Sequence, residues 1–284
     1  MKKLNYIIPF LFFASSVFAQ TIYTQKDVDV CNAKFDFAVS ENLKSQPINT
    51  VLIEVAKTFI DLDYEANTLE KGDKEQLVVH LTGLDCYTFF ESSFVFARSI
   101  KKGKTSFQDF QNEVTNIRYR DGKIDKYPSR LHYAADWLYD NAKRKNVKDI
   151  TEEIGGMPFN KKINFMTSHS NSYERLKSNP EYVKQIAKVE NEMNNRDYFY
   201  VPQNYISCVE DKIQSGDIIL ITASMEGLDI SHTGMAIRMD DDRIHFLHAP
   251  IKGKKIQITE KPLSEYIKGL KRHTGIMVAR PLEP

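Results

Sequence analysis

The sequence lacks an excess of charge of either sign: 39 Lys and Arg stand against 38 Asp and Glu over 284 residues. A near-neutral chain has no electrostatic footprint for nucleic acid or for an anionic lipid surface, so neither is expected as a partner. After residue 19 it also lacks an apolar run of the ~20 residues that a membrane-spanning helix needs, and it carries no internal repeat or low-complexity linker. No close ligand pair of the His-Glu-x-x-His kind is present, so neither a metal nor another cofactor is expected. Cysteine is sparse, with Cys31, Cys86 and Cys208 alone. An odd count leaves at least one thiol free, and Cys31 and Cys208 either pair or remain as buried unpaired side chains.

What is present begins with Lys2 and Lys3 ahead of an apolar stretch, Tyr6 to Phe13, and then Val17-Phe18-Ala19. This reads as a secretory signal peptide, residues 1–19, cut after Ala19, which makes the protein exported, periplasmic or extracellular. No cysteine follows the cut, so no lipid anchor is expected. Cleavage removes two lysines and no acid, leaving the mature chain at 37 basic against 38 acidic residues. Its length suits one large domain or two small ones.

Helical periodicity marks residues 26–43 and 47–60, then a helix from Cys86 through Lys102 and another opening at Thr105. Strand-like segments run from Tyr64 to Leu69 and from Gln76 to Leu81. Asp121-Gly122 predicts a hairpin between Ile117–Arg120 and the residues from Lys123. Ser129 to Asn141 is a short helix that carries the single tryptophan, Trp137, beside Arg130, His132, Tyr133 and Asp136. That cluster is either packed core or the wall of a sugar or peptide cleft. Ile163 to Tyr173 is a polar irregular loop containing His169, and 179–195 is a charged helix. From Ser215 onward short strands follow at 218–222, 231–239, 243–249, 255–259 and 275–279, with a helix at 262–270. The chain therefore reads as α+β, with a mainly antiparallel sheet on which the Cys86 helix packs.

In TGLDCYTF, residues 82–89, either Thr82 or Asp85 can cap a helix that begins at Cys86. A thiol at that position is expected to have a lowered pKa and free first-turn amides beside it. A cysteine nucleophile needs a base and an orienting partner. In SHTGMAIRM, strand alternation puts His232, Gly234, Ala236 and Arg238 on one face, and the small residues would let the cysteine helix approach. In RIHFLHAP, His245 and His248 point to opposite faces. His248 shares its face with Ile244 and Phe246 and is read as the orienting residue, leaving His245 at the surface or an edge.

TGLDCYTF, SGDIILI, SHTGMAI and FLHAP together resemble the cysteine, histidine and third-residue blocks of the NlpC-type, papain-like cysteine hydrolases. YRDGKIDKYPSRLHYAADWLYDN and INFMTSHSNSY resemble more narrowly their N-acetylmuramoyl-L-alanine amidase-like branch, the match running from about residue 50 to the end. The resemblance implies a papain-like core, residues 20–284, with a helical extension at about 20–62 and an inserted cleft region at about 103–205. It implies Cys86 as nucleophile, His232 as base and His248 as third member. Peptidoglycan or muropeptide would be the substrate, cut at the lactyl-L-alanine amide by a monomeric enzyme. Asp85, Arg130, Tyr133, Trp137, His169, Tyr173 and Thr233 become substrate-binding candidates. The other readings are a stem-peptide endopeptidase cutting after D-glutamate, a zinc amidase, and an inactive cell-wall binding protein.

Overall fold

The computed structural model describes residues 21–284 except 73, 252, 253 and 269, so the signal-peptide reading lies outside the described residues. The helices are α1 (Gln25–Ser40), α2 (Ile48–Lys57), α3 (Cys86–Lys102), α4 (Phe107–Arg118), α5 (Ala134–Lys143), α6 (Phe165–Ser168), α7 (Glu174–Lys177), α8 (Pro180–Asn194) and α9 (Leu263–Lys268). The strands are β1 (Val147–Asp149), β2 (Met157–Pro158), β3 (Phe199–Pro202), β4 (Ile218–Ala223), β5 (Ile230–Arg238), β6 (Ile244–His248), β7 (Gln257–Ile258) and β8 (His273–Pro281). They form one sheet in the order β2-β3-β8-β4-β5-β6-β7, with β1 also on β8. All of these pairings are antiparallel. The fold is thus α+β, and no helix among the described residues is long and apolar enough to cross a membrane.

α3 is the central helix. Asp85 caps its start, accepting from Thr88 N at 2.7 Å while Thr88 Oγ1 accepts from Asp85 N at 3.0 Å. This reciprocal pair satisfies two backbone donors and fixes where the helix begins. Gly103 ends it in the left-handed conformation at φ 66°, where a side chain would be strained. Phe89, Phe90, Phe94 and Phe96 are fully buried, so α3 is wrapped nearly all round rather than being amphipathic at the surface. α1, α2, α4 and α5 share one apolar core with it and with Leu220, Met235, Ile237 and Leu247 of the sheet. The other sheet face, with Ile219, Ala236, Phe246 and Val278, packs under α9 residues Leu263 and Ile267.

Several local expectations differ from what the chain does. Gly234 and Ala236 do not make room for α3. A Cβ on Gly234 would meet Phe246 Cε2 at 2.7 Å, so that glycine accommodates the Phe246 ring on the far face of the sheet. Residues 76–81 form no strand ladder, and Val78 makes only an isolated bridge to Ile22. Residues 64–69 likewise form no strand. Asp121 and Gly122 do take positive φ (51° and 70°), but in a helical turn after α4, and the bridge that follows joins Tyr119 to Arg130. α4 is capped by Ser106, one residue beyond the expected Thr105.

Candidate active site

The start of α3 opens into a cleft of about 480 Å³ lined by Cys86, Tyr64, Ala66, Met225, Leu228, Ile230, Ser231, His232, Ile251, Tyr266, Arg272 and His273 among others. One wall is the segment 61–66, held by Tyr64 N donating to Lys254 O and Glu65 N donating to Leu84 O. The opposite wall comes from β5 and β8, and two register shifts shape it. The first, in β4 against β5, pairs Ile221 with His232 and Thr222 with Ile230, leaving Ser231 out of the ladder. The second, in β4 against β8, pairs Thr222 with Gly275 and Ala223 with His273, leaving Thr274 out. Such bulges re-aim side chains at the end of a strand. Here they bring Ser231, His232 and His273 to one cleft.

Cys86 is half-buried and faces this cleft. Its thiol is pushed up to about 11, first by burial and then by the Asp85 carboxylate next to it. The hydroxyl and amide of Thr233 and the amide of Cys86 itself act the other way. Thr233 Oγ1 has no full hydrogen bond among the described residues, so its contact with the sulfur is weak. The lowered thiol pKa expected from the helix terminus is therefore not found, because desolvation outweighs the first-turn amides.

His232 Nε2 lies 2.6 Å from His248 Nδ1. His248 is fully buried between the rings of Phe246 and Tyr266, at centroid distances of 4.7 and 5.3 Å. Burial holds it down to about 3, so it is a neutral imidazole. His232 is depressed well below its ordinary 6.5 by burial, then by His248, His273 and Arg272. Since the 2.6 Å contact uses Nε2, the nitrogen left to His232 for other work is Nδ1. His245 is not at the surface or an edge: it is only 6% exposed, its Nδ1 meeting Thr259 O at 2.7 Å and its Nε2 meeting Asp241 at 3.1 Å. Asp241 in the β5–β6 turn and Thr259 just after β7 enclose it, so strand parity separates it from His248 without exposing it.

The remaining sequence candidates are distributed differently. Asp85, Arg130 and Tyr173 line a second, adjoining pocket of about 350 Å³ with Glu70, Arg118 and His132. Arg130 is committed there to Glu70 at 2.6 Å. Trp137 is 0% exposed and packs edge-on against Phe90 and Phe94, so it is core and not a cleft wall. Tyr133 is also buried, its hydroxyl donating to Glu190 at 2.7 Å. His169 stacks on Phe165 at the surface and lines neither pocket. Cys31, Cys86 and Cys208 are all free thiols, Cys31 in the core and Cys208 exposed. Tyr64, Ser231, Tyr266, Arg272 and His273 carry no signal of their own in the sequence, because the two register shifts and the crossing segment 61–66 are what bring them together.

The sequence profile of the N-acetylmuramoyl-L-alanine amidase-like family matches residues 54–276. The chain belongs to that family. An N-acetylmuramoyl-L-alanine amidase from Bacteroides uniformis ATCC 8492 is 32% identical and superposes with a TM-score of 0.78, over 82% of this chain and 98% of that one. A structure described as a putative xylanase from Bacteroides fragilis is 35% identical, with a TM-score of 0.72 over 79% of this chain and 98% of that one. A Legionella pneumophila protein at 20% identity and TM-score 0.66 shares the fold, over 91% of this chain and 95% of that one. No curated protein matches. In this member of the amidase-like family, all the residues around Cys86 and His232 lie within the matched segment.

Proposed function

We propose that the protein is an exported, cysteine-dependent N-acetylmuramoyl-L-alanine amidase of the papain-like, NlpC type, acting on peptidoglycan or fragments released from it. The observation that carries the reading is the cleft itself. A reachable thiol at a helix start shares it with an imidazole whose Nε2 is engaged by a second, neutral imidazole. Glycoside hydrolysis, the activity in the Bacteroides fragilis name, uses a pair of carboxylates flanking the bond. Neither Asp nor Glu is among the described residues lining the Cys86 cleft.

The chemistry follows from the tautomers. For Nδ1 of His232 to accept a proton, its Nε2 must carry one and donate it to His248 Nδ1, which fixes the hydrogen of His248 on Nε2. As Cys86 Sγ bonds to the lactyl carbonyl carbon, the thiol proton passes to His232 Nδ1. The amide of Cys86 at the head of α3 meets the oxyanion. Collapse of the tetrahedral adduct breaks the carbon–nitrogen bond, and His232 Nδ1–H protonates the alanine nitrogen. Water then gives a proton to His232, adds to the thioester, and frees the muramoyl acid and the thiol.

The test is mass spectrometry of products from a defined muropeptide. Release of an intact stem peptide with alanine at its amino end supports the amidase, whereas a dipeptide left on the sugar identifies a stem-peptide endopeptidase instead.

Because the resting pair is a thiol and a neutral imidazole, the competent form holds one proton between Cys86 and His232. Adding a second proton requires the depressed His232 to charge, so the acid limb of kcat/KM is expected below pH 6.5. Removing the last one requires the raised thiol to ionise, so the alkaline limb lies toward about 11. Iodoacetamide alkylation of Cys86 should likewise still accelerate above the ordinary thiol range of about 8.5. A rate already level at neutral pH would show a standing thiolate and overturn this assignment.

A further inference from the structure

The mechanism leaves His273 unused, although it lines the same cleft as Cys86 and is only 4% exposed. Its Nδ1 lies 2.8 Å from Ser231 Oγ, and Ser231 Oγ also lies 3.2 Å from Ile221 O. A carbonyl oxygen only accepts, and serine has one hydroxyl proton. Both contacts are satisfied together in one arrangement: Ser231 donates to Ile221 O and accepts from Nδ1–H of His273. That tautomer leaves Nε2 without a hydrogen, and Nε2 makes no hydrogen bond among the described residues. Burial and the neighbouring Arg272 hold the ring down to about 4, so Nε2 stays unprotonated at neutral pH. The cleft thus holds a fixed acceptor among Tyr64, Tyr266, Met225 and Ile251, beside Arg272.

Such a largely apolar, aromatic cleft, with Arg272 its one charged lining side chain among the described residues, suits a neutral sugar ring better than the adjoining pocket, which is lined by Glu70, Asp85, Arg118 and Arg130. Resting on the amidase reading above, we propose that His273, held in one tautomer by Ser231, is a specificity residue that accepts a hydrogen bond through Nε2 from the 2-acetamido N–H of the muramoyl ring. A site built to meet a substrate donor discriminates strongly against an analogue lacking it, because its own acceptor is then left unpaired.

The experiment compares two synthetic muramoyl-L-alanine peptides, one with the natural 2-acetamido group and one with a 2-acetoxy group that keeps the shape and carbonyl but has no N–H. The wild-type protein is expected to favour the acetamido substrate in kcat/KM by about 10-fold or more. In His273→Phe that ratio falls to near one, and in Ser231→Ala, where the ring is free to take either tautomer, it falls part of the way. A structural role, or an effect of His273 on the His232 charge, changes both substrates by the same factor and leaves the ratio intact. An unchanged ratio in folded His273→Phe protein overturns the proposal. If wild-type protein cleaves neither substrate at the lactyl amide, the amidase reading itself falls, a result distinguishable from an unchanged ratio.

Discussion

Cys86→Ala is expected to lower kcat/KM on a muramoyl-L-alanine peptide by about 10⁴-fold or more, as is usual when the nucleophile of a covalent mechanism is removed. That factor corresponds to about 5.5 kcal/mol of lost transition-state stabilisation. Binding should survive, since Tyr64, Tyr266 and the other cleft walls are untouched, so the variant should retain muropeptide by calorimetry. Cys86→Ser should be nearly as inactive. The arrangement already rests as a neutral pair, and a hydroxyl is far harder to ionise than a thiol that starts at about 11. His232→Ala should match Cys86→Ala, and combining the two should cost little more, because residues that act as a unit are not additive. His248→Ala should cost less, about 10²-fold, since it removes the acceptor that fixes the His232 tautomer and leaves Nδ1 in place. Product formation by purified Cys86→Ala protein at the wild-type rate would end the cysteine mechanism.

How far the sequence foretold this site depends on the kind of information each residue needed. Asp85 before an apolar helical stripe is a local signal, and the cap forms as that signal says. The separation of His245 from His248 is equally local, because alternation in a regular strand fixes it, and it is His248 that meets His232. Strands β4, β5 and β6 were legible for the same reason. What failed was whatever required knowledge of a partner. Trp137 and Tyr133 look alike whether they line a cleft or fill a core, and only the presence of Phe90, Phe94 and Glu190 around them decides for the core. Gly234 signals a close approach without saying by what, and Phe246 rather than α3 takes the space. Ser231 and His273 meet because two ladders slip by one residue near the same strand ends, which no periodicity encodes. The thiol pKa is a sum over the whole surroundings. A helix terminus supplies one part of it, and burial supplies the larger part.

Glu91→Ala is expected to destabilise the protein by about 3–5 kcal/mol, the usual cost of stranding one partner of a buried ion pair. Glu91 lies in the middle of α3 at 0% exposure, and Arg118 at the end of α4 holds it through Nε at 2.7 Å and Nη2 at 2.6 Å. Burial pushes the Glu91 carboxyl upward even beside that guanidinium, while Arg118 is itself held charged. The arginine decides the outcome, because a guanidinium does not deprotonate in a protein and cannot escape the loss of its partner by neutralising. With Glu91 gone, Arg118 retains, among the described residues, the hydrogen bond from its Nη1 to Val78 O at 2.6 Å. The same arginine joins three parts of the chain, since α4 carries it, α3 carries its partner, and the 76–81 segment that leads to Cys86 supplies the carbonyl. That segment forms no strand ladder of its own, so this ion pair, together with Leu81 N donating to Asp27 at 2.7 Å, is a large part of what fixes it. Thermal unfolding should show a loss of about 6–20 °C at ~2–4 °C per kcal/mol. Replacing both residues by Leu and Met should recover most of it, because two apolar side chains remove the desolvation of both charges at once. A Glu91→Ala protein within about 1 kcal/mol of wild type would mean that water reaches Arg118 in solution, and the helix that positions Cys86 would then be held by its aromatic packing alone.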